Sequence, residues 1–263
     1  MTALPTRKLE AYRYADIDAL ASVWTELTAP EKIKIAAQQR LQQIWLPSGE
    51  AIDIRRAEIT LEPGADFALF ALNTAADYGR IELDVTLRKG ARFTLNAANI
   101  GAGTSTLEIV TTVRHDEPAA VSRQTVRSVL GGKAAGSYLG KVAVARGAQK
   151  TDGEQSVKAM LLDRGATANC KPELEIYADD VKCAHGASVG ELDANQLFYA
   201  MSRGLDPASA KALLLEGFVM GLWDDAENGE AICEAARAAL RRVSSPERGR
   251  GPAKLVEGAA CQA

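Results

Sequence analysis

Cysteine and histidine are scarce, with only four cysteines and two histidines among 263 residues. No two cysteines are spaced as C-x-x-C, which excludes a zinc knuckle or a dithiol redox motif, and Cys170, Cys183, Cys233 and Cys261 are expected to be free thiols or ligands rather than bridges. Long apolar runs are missing as well. The stretch FALFAL (67 to 72) is far too short to span a bilayer, and the start MTALPTRKLEAYRYADIDAL has no apolar centre of the kind a signal peptide needs. A cytoplasmic location away from membranes is therefore expected. With a net charge of −3 the chain carries no excess of basic charge, and nucleic acid is not an expected partner.

Nucleotide and hydrolase motifs are missing too. GSYLGKV (136 to 142) contains Gly-Lys, but a phosphate loop needs four residues between its glycines and Ser or Thr after the lysine. GAGTST (101 to 106) lacks the third glycine of a dinucleotide fingerprint, and no G-x-S-x-G elbow occurs. His115, in VRHDEP, has weak claims as a base beside Asp116 and reads as an exposed loop histidine.

What is present is a change of period along the chain. Residues 6 to 40 read as helix, with Leu9, Tyr12, Ile17, Leu20, Trp24 and Leu27 recurring at three- and four-residue spacing before the polar EKIKIAAQQR. From Leu41 the period becomes two, clearest in IELDVTL (81 to 87), and strands dominate to about residue 190. Five breaks share a Gly-Ala frame: LEPGADF, LRKGARF, VARGAQK, LDRGATA and CAHGASV. Glycine can take the positive φ that turns a strand sharply, and alanine is small enough to lie beneath a neighbouring coil. Two-residue hairpin signals are rare in this stretch, the Asp152-Gly153 pair falling in a polar loop, so the frames favour a solenoid over a sandwich. The fold expected is mainly β, a β-helix with short N-terminal helices and a C-terminal helical subdomain.

Helical period returns after Gly190. Asp193 can cap ANQLFYAMSR, with Gln196 in the reciprocal capping position and Gly204 as the stop. Asp206 and Pro207 open a second helix with Leu213, Leu214, Phe218 and Leu222 as its apolar face, and a third runs through NGEAICEAARAALRRV with Ile232, Ala236 and Leu240 on one side. The chain thus divides into an N-terminal helical segment (1–40), a β-helix core (41–192), a C-terminal helical subdomain (193–243) and a basic tail (244–263) expected to be disordered.

The segment KCAHGASVG (182 to 190) places Cys183 two residues before His185, on the same face if the backbone is extended. Thiolate and imidazole are both good ligands for iron or zinc. Two ligands do not close a site, so the segment is either part of a shared metal site, completed by carboxylates such as Asp179 and Asp180 or by another polypeptide, or a turn with a small buried thiol.

The run KPELEIYADDVKCAHGASVGELDANQLFYAMSRGLDPASAKALLLEGF (171 to 218) resembles the carboxy-terminal core of the SufB/SufD family, and KPELEIYADDVKCAHGASVG followed by LFYAMSRG is similar to its SufD-type members. KLEAYRYADI (8 to 17) and GKVAVARGAQKTDGEQSVKAMLL (140 to 162) extend the likeness weakly. The resemblance implies a right-handed parallel β-helix and a scaffold subunit rather than an enzyme. It implies pairing with a SufB-like chain through the β-helix, docking of a SufC-like ATPase on the C-terminal helices, and assembly of a transient iron-sulfur cluster in the complex. A homodimer is the expectation for the isolated chain. His185 matches the histidine implicated in cluster formation at the pair's interface, and Cys183 the neighbouring cysteine. Phe198, Tyr199, Arg203, Gly204 and Phe218 are the expected ATPase contacts. Such complexes are also associated with reduced flavin, for which no contact residue can be named. Two other readings compete: a docking subunit whose CAH segment is inert, and a carbohydrate-acting β-helix enzyme using Asp179 and Asp180. Adjacent acids on a strand face opposite sides, which counts against the enzyme.

Overall fold

The computed structural model describes residues 4–27 and 29–244. Among them are twelve strands: β1 (Glu31–Ile35), β2 (Arg40–Trp45), β3 (Ile52–Leu61), β4 (Asp66–Asn73), β5 (Tyr78–Leu87), β6 (Arg92–Gly101), β7 (Thr106–His115), β8 (Val121–Leu130), β9 (Ala135–Val144), β10 (Asp152–Leu161), β11 (Thr167–Ile176) and β12 (Lys182–Glu191). Odd-numbered strands form one six-stranded sheet and even-numbered strands another, each in unbroken order. Every pairing is parallel, so each odd–even pair is one coil of a six-coil β-helix. Glu31 pairs with Ala57 and Ala135 with Thr167, so a coil takes 26 residues at the amino-terminal end and 32 near the other.

Alternation in the sequence becomes inside and outside in the coil. Ile81, Leu83, Val85 and Leu87 are buried in the lumen, whereas Glu82, Asp84 and Thr86 are only half-buried outside it. Stacking repeats these positions from coil to coil, as in Leu61 with Leu87 and Phe67 with Phe93, whose rings stack with centroids 6.2 Å apart. Each such fully buried side chain contributes roughly 1.5–3 kcal/mol. Outward positions carry charge pairs from one coil to the next, such as Arg123 with Asp152 at 2.6 Å and Lys141 with Glu175 at 2.9 Å.

Four of the five Gly-Ala frames are turns between strands. Gly64 and Gly90 take φ of +70° and +66°, and Ala65, Ala91, Ala148 and Ala166 are buried at the corners. The fifth is not a break: β12 runs straight through CAHGASV, and Gly186 and Ala187 are exposed strand residues. The expected helix over 6–40 is also corrected. It reduces to a single turn at Glu10–Tyr12 and α1 (Ile17–Val23), and EKIKI is strand β1. Ile33 and Ile35 alternate with Lys32 and Lys34, a period of two that the lysines disguised as a polar stretch. Asp152-Gly153 opens β10 rather than lying in a loop.

Helices cover both outer faces. The N-terminal segment lies on the first sheet, where Ala15 and Leu20 pack with Tyr78. At the other end come α2 (Ala194–Ser202), α3 (Pro207–Val219) and α4 (Glu230–Ser244); α3 and α4 fold back over the second sheet, and α2 packs against α3. Leu215, Val219, Leu222, Trp223, Ile232, Ala236 and Leu240 form a second core there with Phe70, Leu72, Ile100 and Val129. The return is pinned at β2, where Gln42 Nε2 donates to the Asp225 carbonyl and Gln42 Oε1 accepts from the Glu227 N–H. The N-caps fall as expected, without the return bond of a capping box from the Gln196 side chain: Asp193 accepts from the N–H groups of Asn195 and Gln196, Asp206 from those of Ala208 and Ser209, and Gly204 has φ +98°. The fully buried residues of α3 are Ala210, Leu215 and Val219, with Phe218 half-buried on the same core and Leu213 exposed, because a helix this apolar all round does not declare its face. No helix among the described residues is long and apolar enough to cross a membrane. The basic tail beyond Ser244, with Cys261, lies outside the described residues.

Candidate functional site

β11 and β12 are the last strands of their sheets, so among the described residues no further coil stacks on the sixth. On β12, Cys183, His185, Ala187 and Val189 pair with Gly153, Gln155, Val157 and Ala159, all four buried in the lumen of the fifth coil. The same four positions on β12 therefore face the lumen direction, but no further strand among the described residues stacks on them. His185, Ala187 and Val189 are exposed and Cys183 is half-buried. Cys183 and His185 thus share a face on an extended strand, and an open end of the solenoid presents them.

The two residues sit in different surroundings. His185 borders a shallow groove of about 400 Å³ whose wall includes Gln155, Val157 and Ala187. Cys183 leans inward over Gly153 and packs against the apolar core of the lumen. Burial pushes the Cys183 thiol up from its ordinary range, opposed by a hydrogen bond with the Gly153 backbone. Lys182 gives it no relief, since it pairs with Asp152 on the outer face. Cys170, Cys183 and Cys233 are free thiols. Cys170 lies on β11 and lines a different groove with Ala187 and Val189. Among the described residues no three His, Cys, Asp or Glu side chains gather as a metal site.

Asp179 and Asp180 do not join His185. They lie in the bend between β11 and β12, where Asp180 is ion-paired with Lys150 and its N–H donates to Gln149 Oε1. They are therefore not on a strand at all, and Asp180 is taken up in holding a corner. His115 is corrected more sharply: it ends strand β7 on a lumen-facing position, fully buried, with Nε2 2.9 Å from Ser122 Oγ. Burial pushes its pKa down to about 4, so it is neutral and sealed from any substrate.

A second candidate surface is on the helices. Phe198 and Tyr199 on α2 are 71% and 60% exposed, and only Ala200 of that helix is buried. Arg203 closes over Tyr199, its guanidinium 5.0 Å from the ring centroid and its Nη2 donating to the phenol oxygen. Gly204 follows in the exposed turn, and Met201, Leu205 and Leu213 add exposed apolar surface. Phe218 does not belong to this patch; it is half-buried on the second core with the Arg127 guanidinium 5.9 Å from its ring.

Of the buried polar groups that sequence reasoning missed, two bear on the argument. One is an ion pair, Arg80 with Glu108, on the first sheet. The other lies inside the lumen beneath His185, formed by Thr111, Gln124, Tyr138 and Gln155. Gln124 and Gln155 stand at alternate, inward positions of their strands, the one signal that would have marked them.

Comparison with known proteins gives a consistent answer. Residues 9–218 match the model of the SUF system FeS cluster assembly, SufBD core domain. The iron-sulfur cluster assembly protein SufD of Escherichia coli is 38% identical over 110 residues, 42% of this chain and 26% of that protein. The chloroplastic protein ABCI7 of Arabidopsis thaliana is 40% identical over 39% of this chain and 22% of its own length. A SufBD family protein of Synechocystis, slr0076, is 37% identical over 41% of this chain and 24% of its own. The chain therefore matches about a quarter of the length of these relatives.

Proposed function

The chain belongs to the SufB/SufD family of iron-sulfur cluster assembly proteins, and from that premise we propose that it is a SufD-like scaffold subunit whose metal chemistry arises only in a complex. The observation that carries this reading is the position of His185: exposed on a lumen-facing site of the last coil, on a sheet edge with free backbone groups, with Cys183 beside it but no group of three His, Cys, Asp or Glu side chains around it among the described residues. Such an edge is a ready template for pairing with another chain. A SufB-like chain seated there brings its own ligands, and the nascent cluster, as cargo, is held between the two. His185 offers an imidazole nitrogen as a ligand. Cys183 follows once iron displaces the proton that burial holds on its thiol.

The exposed ring pair Phe198 and Tyr199, clamped by Arg203, is the docking surface for a SufC-like ATPase, which supplies the nucleotide chemistry that this chain has no phosphate loop to perform. Aromatic and Arg side chains held rigid at a surface are the residues that carry binding energy in most interfaces. The chain acts by placing ligands and partners, not by turning over a substrate. Co-expression with the neighbouring SufB-like and SufC-like chains, followed by purification through this chain and iron and sulfide analysis, tests the reading. A complex carrying iron and sulfide is expected; this chain eluting alone, or with a full cluster bound to itself, overturns it.

A further inference from the structure

The lumen changes character along its axis. The column that ends at His185 reads Leu69, Leu95, Gln124, Gln155, His185 on β4, β6, β8, β10 and β12. Gln124 and Gln155 are each 1% exposed. They are tied by a directed chain of hydrogen bonds. Thr111 Oγ1 and Tyr138 Oη donate to Gln124 Oε1 at 2.7 and 3.2 Å, and Gln155 Nε2 donates to Tyr138 Oη at 2.9 Å. Gly140 is what admits the Tyr138 hydroxyl, since a side chain there would overlap it. Once Tyr138 has spent its proton on Gln124, it can only accept from Gln155. The Gln155 amide is thereby oriented, and its Oε1 is left buried with no donor.

The next lumen-facing group in that column is the imidazole of His185, one strand spacing away, about 4.8 Å between backbones. Gln155 and His185 also line the same groove. We propose that Gln155 is a positioning residue for His185, its Oε1 accepting the imidazole N–H directly or through one water. The proposal rests on His185 being a ligand, and it says how the ligand is prepared. An imidazole whose one N–H is held by an acceptor keeps a single tautomer and presents the other nitrogen, with its lone pair, outward at the open end. Thr111, Gln124 and Tyr138 then back the amide from the coils below, the Thr111 and Tyr138 hydroxyls themselves lying 3.3 Å apart. Had the amide presented its NH2 group instead, it would occupy the imidazole lone pair and leave only an N–H facing outward, which cannot bind metal.

The test is the ring-nitrogen NMR spectrum of His185 in the 15N-labelled chain, at a pH where imidazole is neutral. The signal is assigned by its loss in His185→Ala. One tautomer is expected in about tenfold excess. Gln155→Leu, which restores the residue of the lower coils, should return His185 to a mixed tautomer population at an unchanged thermal midpoint, and Gln155→Glu, which keeps an acceptor, should preserve the excess. Should the leucine variant fold poorly, Gln155→Met supplies the same readout. Ring-nitrogen shifts that are the same in wild type and Gln155→Leu overturn the proposal. In the co-expressed complex, Gln155→Leu should lower the cluster yield about tenfold. Loss of cluster in His185→Ala with His185 tautomers indifferent to Gln155 refutes the positioning role alone, whereas normal cluster in His185→Ala refutes the ligand reading on which it stands.

Discussion

Arg80 Nη1 lies 2.9 Å from Glu108 Oε2, with both side chains almost completely sealed from solvent. The Tyr78 hydroxyl donates to the same carboxylate, and Ser137 Oγ to its other oxygen at 3.3 Å. The rest of the guanidinium is turned outward, where Nη2 donates to the Ala11 carbonyl at 2.8 Å and the Tyr12 ring lies 4.3 Å from it. One arginine thus joins two coils and holds the N-terminal segment to the first sheet.

Replacing it separates those roles. Arg80→Leu leaves Glu108 buried without a counter-charge, and truncating one partner of such a pair costs about 3–5 kcal/mol. Equilibrium unfolding in urea should show that loss, and limited proteolysis should cut ahead of α1 sooner than in the wild type. An Arg80→Leu protein with an unshifted midpoint and an unaltered cleavage pattern would contradict this account.

His115 gives the chain a pH dependence of calculable sign. In the native state burial holds its pKa at about 4, and in the unfolded chain it returns to about 6.5. Between those values the unfolded chain binds the extra proton, so the contribution is complete above about pH 6.5 and is lost as pH falls towards 4. A gap of this size corresponds to about 3 kcal/mol. Urea midpoints from pH 7.5 to 4, compared with those of His115→Gln, should differ in slope only within that window. Parallel curves would mean that His115 is not the buried neutral group found here.

The parts of this protein that could be read from its sequence are those where one local signal sufficed. IELDVTL alternates because its inward column is apolar, and Gly64 with Ala65 marks a corner because that corner needs a positive φ and a small buried side chain. The helix caps at Asp193 and Asp206 are equally local. Misreadings arose where the deciding fact was a neighbour in space. Gly186 and Ala187 look like one more corner, but they belong to a strand on whose far edge no further strand among the described residues stacks. His115 sits between Arg114 and Asp116 and reads as a loop, yet its register puts it in line with Leu87 and Val144 inside the lumen. Cys183 and His185 were visible as a pair; that they stand above Gly153 and Gln155 was not, because only the coil register brings residues thirty positions apart together.

The patch on α2 predicts a clean loss of binding. Because Phe198 and Tyr199 are exposed and only Ala200 anchors that helix by burial, Phe198→Asp and Tyr199→Asp should leave the unfolding midpoint within the scatter of surface substitutions, about 0.5 kcal/mol. Loss of two central aromatic anchors should weaken docking of the SufC-like ATPase by at least about 2 kcal/mol, some thirtyfold in Kd. Phe218→Ala is the contrast: it packs on the second core and beneath Arg127, so it should lower stability. Wild-type ATPase affinity in the double α2 variant would move the docking surface elsewhere.

Cys183 and His185 should fail in different ways when removed. The His185 side chain is exposed on the last coil, so His185→Ala should fold, keep its unfolding midpoint and still assemble with the proposed SufB-like and SufC-like partners. What it should lose is the cluster, since an imidazole at a shared boundary fixes one corner of the iron and the partner's ligands alone do not. Cys183 is half-buried over Gly153 and the first core, so Cys183→Ala removes packing as well as a thiol and should cost about 1 kcal/mol of stability before any effect on metal is counted. Cys183→Ser separates the two contributions: it keeps the shape, loses the soft ligand and puts a hydroxyl where burial already disfavours ionisation of the thiol. Iron and sulfide bound per complex, measured beside the urea midpoint for all three variants, decides the matter. A His185→Ala complex with wild-type iron and sulfide would reduce this strand to an edge for pairing, and a Cys183→Ser complex with full cluster would leave His185 as the single ligand this chain contributes.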